Sequence, residues 1–246
     1  MFKYVEMEGI ISTKEINLSV VILCYGAGQR VYGFVDKTIK FLENNVPSWE
    51  IVLVGNYFEK NQEDNTPDVV KDIASKDTRI KAVVLPKEGM MGWDARAGLR
   101  CAVGRYICLI DGDEKMPSED IIRVYQKIKD EGLDLVKPYR IIRHDGIARK
   151  ILSFFYNLIF KMLFPCFPVK DINSKPKIMT RQAYEKMCLE SNDWFLDAEM
   201  MIQVRRLKLR IGEIPTKFYK CEYRQQGNKR VRGKLTFQDP KFFFLG

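Results

Sequence analysis

Residues 93–113 read WDARAGLRCAVGRYICLIDGD. The first twelve positions have the spacing of a short helix, with Gly104 placed to end it as a C-cap. An apolar run, YICLI, follows and stops at two aspartates, Asp111 and Asp113. A helix handing over to a short buried strand is half of a βαβ unit, and it predicts a parallel sheet. Ligands of such sheets bind outside the carboxyl ends of the strands, which is where YICLI delivers its aspartates. On an extended backbone the two side chains share a side. Carboxylates so close repel unless a cation sits between or beside them. A hard divalent ion carrying a diphosphate meets that need, because Mg²⁺ takes one or two carboxylates plus phosphate oxygens. A pair of helix-capping acids or a solvated turn would give the same short pattern.

The flanking sequence repeats the alternation. LSVVILCY (18–25), WEIVLVGN (49–56), RIKAVVLPKEG (79–89) and LDLVKPYR (133–140) read as strands. Residues 31–45, 68–77 and 118–132 read as helices, the last with Ser118 as N-cap and Gly132 just past its end. The prediction is an α/β domain with a mainly parallel central sheet flanked by helices. No linker composition appears before about residue 225, so a single domain is expected.

The chain has 246 residues, 46% of them hydrophobic, which is enough for a sizeable core. Its 41 basic and 32 acidic residues leave a net charge of +9, which attracts anions such as nucleotides, phosphorylated lipids or acidic membranes. Nucleic acid is not expected as a partner, since no aromatic-basic recognition motif or zinc module accompanies the charge. Six scattered cysteines without a CxxC pair, and the single His144, argue against a zinc site and for buried thiols in a reducing compartment. The first residues, MFKYVEMEGI, lack the apolar core of a signal peptide. A cytoplasmic protein is therefore expected.

The most apolar stretch is ILSFFYNLIFKMLFPCFPV, residues 151–169. Lys161 interrupts it, and Pro165 and Pro168 end it, so a spanning helix is disfavoured. An amphipathic helix lying at a membrane interface fits better, with an ordinary buried helix as the alternative.

With these elements in order, the chain resembles a family 2 glycosyltransferase of the GT-A fold, nearest the dolichyl-phosphate mannose synthase type of polyisoprenyl-phosphate glycosyltransferase. SVVILCY, GWDARAGLRCAVGRYICLIDGDEKMP, DINSKPKIMTRQAYEKM, WFLDAEMMIQVRRLKLRIGEIPTKF and YRQQGNK carry the resemblance, over about residues 18–235. It implies a metal-dependent inverting transfer of a sugar from a nucleotide diphosphate to a lipid phosphate or a glycan. Residues 18–140 would form the nucleotide-binding half, 141–235 the acceptor and closing half, and 236–246 a tail. Asp111 would sit near ribose and metal, Asp113 would ligate Mg²⁺ or Mn²⁺, and Asp197 would lie near the metal and reacting centre, followed by Glu199. Tyr25, Asn56 and Arg205 would meet the nucleotide sugar, and Arg224 and Lys229 would close over the diphosphate. Asp171, Arg140 and Arg143 would belong to the acceptor side. A hydroxyl acceptor needs a base, for which Asp197 is the candidate. A lipid phosphate is already ionised, and Asp197 is then a metal or sugar contact. Asp197 and Glu199 also suit the first turn of a helix, where the dipole favours acids.

Two segments depart from the family pattern. After the second strand, Gly55 and Asn56 replace the expected acids, and LCYGAGQ stands where a PxYNE-like segment is expected, keeping only Tyr25. Asn56 can still hydrogen-bond a base edge. The alternative these changes raise is a catalytically weakened protein that binds a nucleotide or glycan on the same fold.

Overall fold

β1 (Leu18–Leu23) is buried at every position, and so is its neighbour β2 (Trp49–Val54). Strands buried on both faces read as continuous apolar runs, because helices cover each side of a parallel sheet. The computed structural model describes residues 15–59, 63–113, 116–143 and 169–218, with helical positions at 155, 158 and 162. In chain order the remaining elements are α1 (Arg30–Asn45), α2 (Thr66–Lys76), β3 (Ile80–Val83), α3 (Met91–Cys101), β4 (Tyr106–Asp111), α4 (Glu119–Asp130) and β5 (Leu135–Arg143). They continue with β6 (Lys177–Thr180), α5 (Arg181–Lys186), α6 (Leu196–Arg206) and β7 (Ile211–Phe218).

The seven strands lie in the order β3-β2-β1-β4-β6-β5-β7. β1 pairs in parallel with both β2 and β4, whereas β6 runs antiparallel between β4 and β5. The chain thus winds from β1 outward to β3, then returns to add β4 on β1's other edge. That reversal opens a crevice beyond the carboxyl ends of β1 and β4, where open α/β sheets take their ligands. Alternate side chains divide the core. Val20, Ile22, Phe34, Leu42, Val70 and Tyr125 fill one face, and Val21, Leu23, Val54, Leu99, Leu109 and Met200 the other. Full burial of each aliphatic side chain contributes roughly 1.5–3 kcal/mol.

Two local expectations change. Gly104 is not a helix cap, because α3 ends at Cys101 with Ala102 as its C-cap. A Cβ at Gly104 would stand 2.7 Å from the Ser19 nitrogen, so the glycine lets the chain enter β4 hard against β1. Ser118 occupies the N-cap position of α4 but makes no side-chain cap bond. Gly132 does end that helix at φ +58°, a conformation natural to glycine. β6 and β7 carry no strong strand signal in the sequence; the antiparallel β6 is only four residues long.

Candidate active site

β4 ends on Asp111, and the bend after it carries Asp113. Both carboxylates line a cleft of about 410 Å³ that also receives Leu23, Tyr25, Phe58, Lys87, Asp94, Asn173, Lys175, Trp194 and Asp197. A smaller recess of about 170 Å³ adjoins them and is lined by Arg140, Asn173, Ser174 and Lys175. A larger cavity, about 710 Å³ between α1, α4 and β7, is lined by neither Asp111 nor Asp113. Charges converge in the 410 Å³ cleft at the topological reversal, which makes that cleft the candidate site.

The segment after residue 169 brings in cations that sequence reasoning passed over. Lys175 places its nitrogen 3.3 Å from Asp111 Oδ1 and 3.1 Å from Asp197 Oδ2. Lys177, on β6, pairs with the other oxygen of Asp197. Asp197 sits in the first turn of α6 and is only 3% exposed. Burial alone would push its carboxyl up, but Lys175 and Lys177 outweigh it and hold the carboxyl below the usual range. Burial pulls Lys177 down to about 8 against the pull of Asp197. For Lys175 burial acts the same way, yet Asp111 and Asp197 prevail and keep it firmly charged. With both oxygens engaged by lysines, Asp197 is a poor proton acceptor and no ready metal ligand.

Other expected residues divide. Glu199 faces away from the cleft lining: its oxygens accept the backbone N–H of Glu190, at 2.8 Å, and of Ser191, at 3.0 Å, fixing the loop before α6. Asn56 is fully buried. Its amide donates to Asp94 at 2.9 Å, and its oxygen accepts from the Leu85 N–H at 2.9 Å, so neither group reaches a base edge. Arg205 is exposed on the last turn of α6 and does not line the cleft. Arg140 grips Asp171 through two bonds of 2.5 and 2.8 Å while facing the small recess. Arg143 ends β5, and its side chain lies outside the described residues, as do Arg224 and Lys229.

Tyr25 remains at the cleft, at the end opposite Arg140, and Phe58 packs edge-on against it with ring centres 5.8 Å apart. Lys87 lies 4.4 Å from the Tyr25 ring centre and pairs with Asp94 beneath. Burial raises the Asp94 carboxyl, and Lys87 and Asn56 only partly offset it. Phe58 and Lys87 were hidden from sequence reading because no local pattern shows that they meet Tyr25 at the cleft. Lys175 and Lys177 were hidden because DINSKPK reads as an ordinary polar loop.

Among the described residues no three acidic, histidine or cysteine side chains form a ready-made metal cage. Asp111 and Asp113 supply the pair that Mg²⁺ or Mn²⁺ uses when phosphate oxygens and water complete its shell. The donor set therefore fits a metal that arrives with a diphosphate, while both oxygens of Asp197 are paired with lysines.

Comparison with known proteins bears on this cleft. The family model described as Glycosyl transferase family 2 matches residues 19–188. A dolichyl-phosphate beta-glucosyltransferase of Trichomonas vaginalis is 23% identical over 91% of this chain and 68% of its own length. One from Saccharomyces cerevisiae is 25% identical over 85% of this chain and 69% of its own. The chain thus spans about two thirds of the length of these relatives. Among solved structures, glucosyl-3-phosphoglycerate synthase from Mycobacterium tuberculosis, in complex with Mn²⁺, UDP-glucose and phosphoglyceric acid, superposes with a TM-score of 0.63. It is 16% identical, over 83% of this chain and 72% of that one, a likeness of fold.

Proposed function

The chain belongs to glycosyl transferase family 2 and is a glycosyltransferase of the GT-A fold; from that membership we propose that it moves a hexose from a nucleoside diphosphate sugar to the phosphate of a polyisoprenyl lipid. The observation that carries the reading is the delivery of Asp111 and Asp113 into one cleft with the Tyr25–Phe58 aromatic pair. The relatives named dolichyl-phosphate beta-glucosyltransferase supply the acceptor class and glucose as the sugar to test first.

The aromatic pair offers a face to the nucleobase, and base stacking on such rings contributes roughly 1–3 kcal/mol. Asp111 and Asp113 would hold Mg²⁺ or Mn²⁺, whose charge would stabilise the departing diphosphate. Lys175 adds a cation beside them. Arg140 lines the recess on the far side of the carboxylates, where an acceptor phosphate would meet a guanidinium. The acceptor oxygen attacks the anomeric carbon while the bond to the diphosphate breaks, and the nucleoside diphosphate leaves with the electron pair. Nothing has to take a proton, because the attacking phosphate oxygen is already ionised. This agrees with an Asp197 committed to two lysines.

A lipid acceptor calls for a membrane surface. Among the described residues no helix is long and apolar enough to cross one. Phe155, Leu158 and Met162 are exposed at helical spacing, which supports interfacial contact on the cytoplasmic face. The rest of the 151–169 stretch lies outside the described residues.

The test pairs binding with transfer. UDP and GDP should bind more tightly with Mn²⁺, and Asp113→Asn should lose that gain. Label from UDP-glucose or another nucleotide sugar should pass into the lipid extract when polyisoprenyl phosphate is added. Mn²⁺-stimulated binding that survives in Asp113→Asn would falsify the donor site, and transfer only to water-soluble glycans would overturn the acceptor.

A further inference from the structure

The donor site holds one cation more than its innermost carboxylate needs. Lys177 already pairs with one oxygen of Asp197. Lys175 takes the other oxygen at 3.1 Å and reaches past it to Asp111, with its nitrogen 3.3 Å from Oδ1 and 3.4 Å from Oδ2. Asp111 is the open side of this bridge, since its side chain is 39% exposed against 5% for Lys175 and for Asp197. The lysine walls both the cleft and the recess, so its charge faces the same space as the two aspartates after β4.

We propose that Lys175 is a built-in second cation of the donor site: it holds Asp111 in the free protein and turns to the diphosphate when a nucleotide binds. This deepens the donor-site reading above and rests on it. Three carboxylates, Asp111, Asp113 and Asp197, face two ammonium groups, Lys175 and Lys177. The two lysines leave the cleft far less negative than its aspartates alone would make it. A divalent ion at Asp111 meets a like charge within a few ångströms, which weakens metal binding when no nucleotide is present. A diphosphate meets the same ammonium as a partner, so part of its affinity persists without metal. Asp197, held by Lys177, keeps the stem of Lys175 aimed at this point.

The proposal predicts opposite shifts from one substitution. Lys175→Met should bind Mn²⁺ alone about tenfold more tightly, since a like charge has gone. It should bind UDP or GDP in EDTA about tenfold more weakly, since a charge-assisted contact has gone. Lys175→Arg should keep both affinities near wild type. A lysine that merely supports the fold would weaken both in Lys175→Met, and that parallel loss overturns the proposal, as does unchanged nucleotide binding in EDTA. Asp111→Asn gives a second reading that does not remove the buried lysine: Mn²⁺ binding should fall while metal-free nucleotide binding holds or rises. A fall in both would also overturn it. Failure here is separable from failure of the donor site, because Asp113→Asn tests the site by losing Mn²⁺ stimulation whatever Lys175 does.

Discussion

At one end of the cleft stand Asp111, which Lys175 reaches, and Asp113. At the other, Lys87 and Asp94 cancel as a buried pair beneath Tyr25 and Phe58. The first end keeps its carboxylates in a partly open position, which suits a metal and a diphosphate that bring their own charges. The second has spent its charge on itself. Asp94 and Asn56 serve each other and the Leu85 backbone, and what they hold up to the cleft is a pair of rings. The departures from the family pattern at Gly55–Asn56 and after β1 fall at the second end. In the proposed reading the rings take the place of the acids there, and the carboxylate end keeps Asp111 and Asp113. Membership of glycosyl transferase family 2 weighs against the non-catalytic alternative.

The comparison is broken most severely at the charged end. Asp113→Asn should cut transfer by about 100-fold or more, since a metal contributes several kcal/mol of charge stabilisation. The midpoint of thermal unfolding should stay close to wild type, because Asp113 is partly exposed at the cleft. Comparable turnover at saturating Mn²⁺ would show that the two ends do not divide the work this way.

Asn56→Ala strikes the other end through stability. It strands the part-buried Leu85 N–H and removes a donor from the buried Asp94. Leaving such groups unpaired costs about 1–3 kcal/mol, read as a lower denaturation midpoint with an unchanged slope. A base-edge contact would instead show as weaker nucleotide binding at wild-type stability, and that result would restore the role read from the sequence.

Phe58→Ala and Tyr25→Ala should each weaken nucleotide binding by roughly tenfold, within the range of base–aromatic stacking. The fold-gain from Mn²⁺ should not change, because the rings belong to the other end. A loss of metal stimulation in either variant would mean that the ends are coupled.

How far the sequence foretold this cleft follows from what periodicity can see. β1, β2, β4 and the helices between them are long runs with strong pattern, and a strand that stops in Asp111 and Asp113 announces its own site. β6 is four residues long, and its pairing partner β4 lies about seventy positions earlier. No local pattern specifies such a strand, yet it delivers Lys177 and, just before it, Lys175. Asp197 was recognisable as an important acid, but its role depends on those two lysines and so waited on tertiary structure. Glu199 was misplaced for a related reason: on α6 it lies two residues from Asp197, and helical geometry turns side chains at that spacing to different faces.

The smallest effect compares the two buried aspartates directly. Both carboxyls start from an ordinary value of 3.8 and feel burial as an upward push. At Asp94 burial wins over Lys87 and Asn56, whereas at Asp197 two lysines win over burial. Carboxyl signals followed by ¹³C NMR as pH falls should therefore show Asp94 taking its proton first and Asp197 last. The signs for stability are opposite. Asp94, raised in the folded state, favours folding in its protonated form, a contribution present below 3.8 and lost as pH rises through its folded value. Asp197, lowered in the folded state, contributes above 3.8 and loses that contribution as pH falls below it. If Asp197 titrates before Asp94, the lysines do not hold it. It would then again be a candidate for proton transfer, and the charge division between the two ends would fail at its innermost residue.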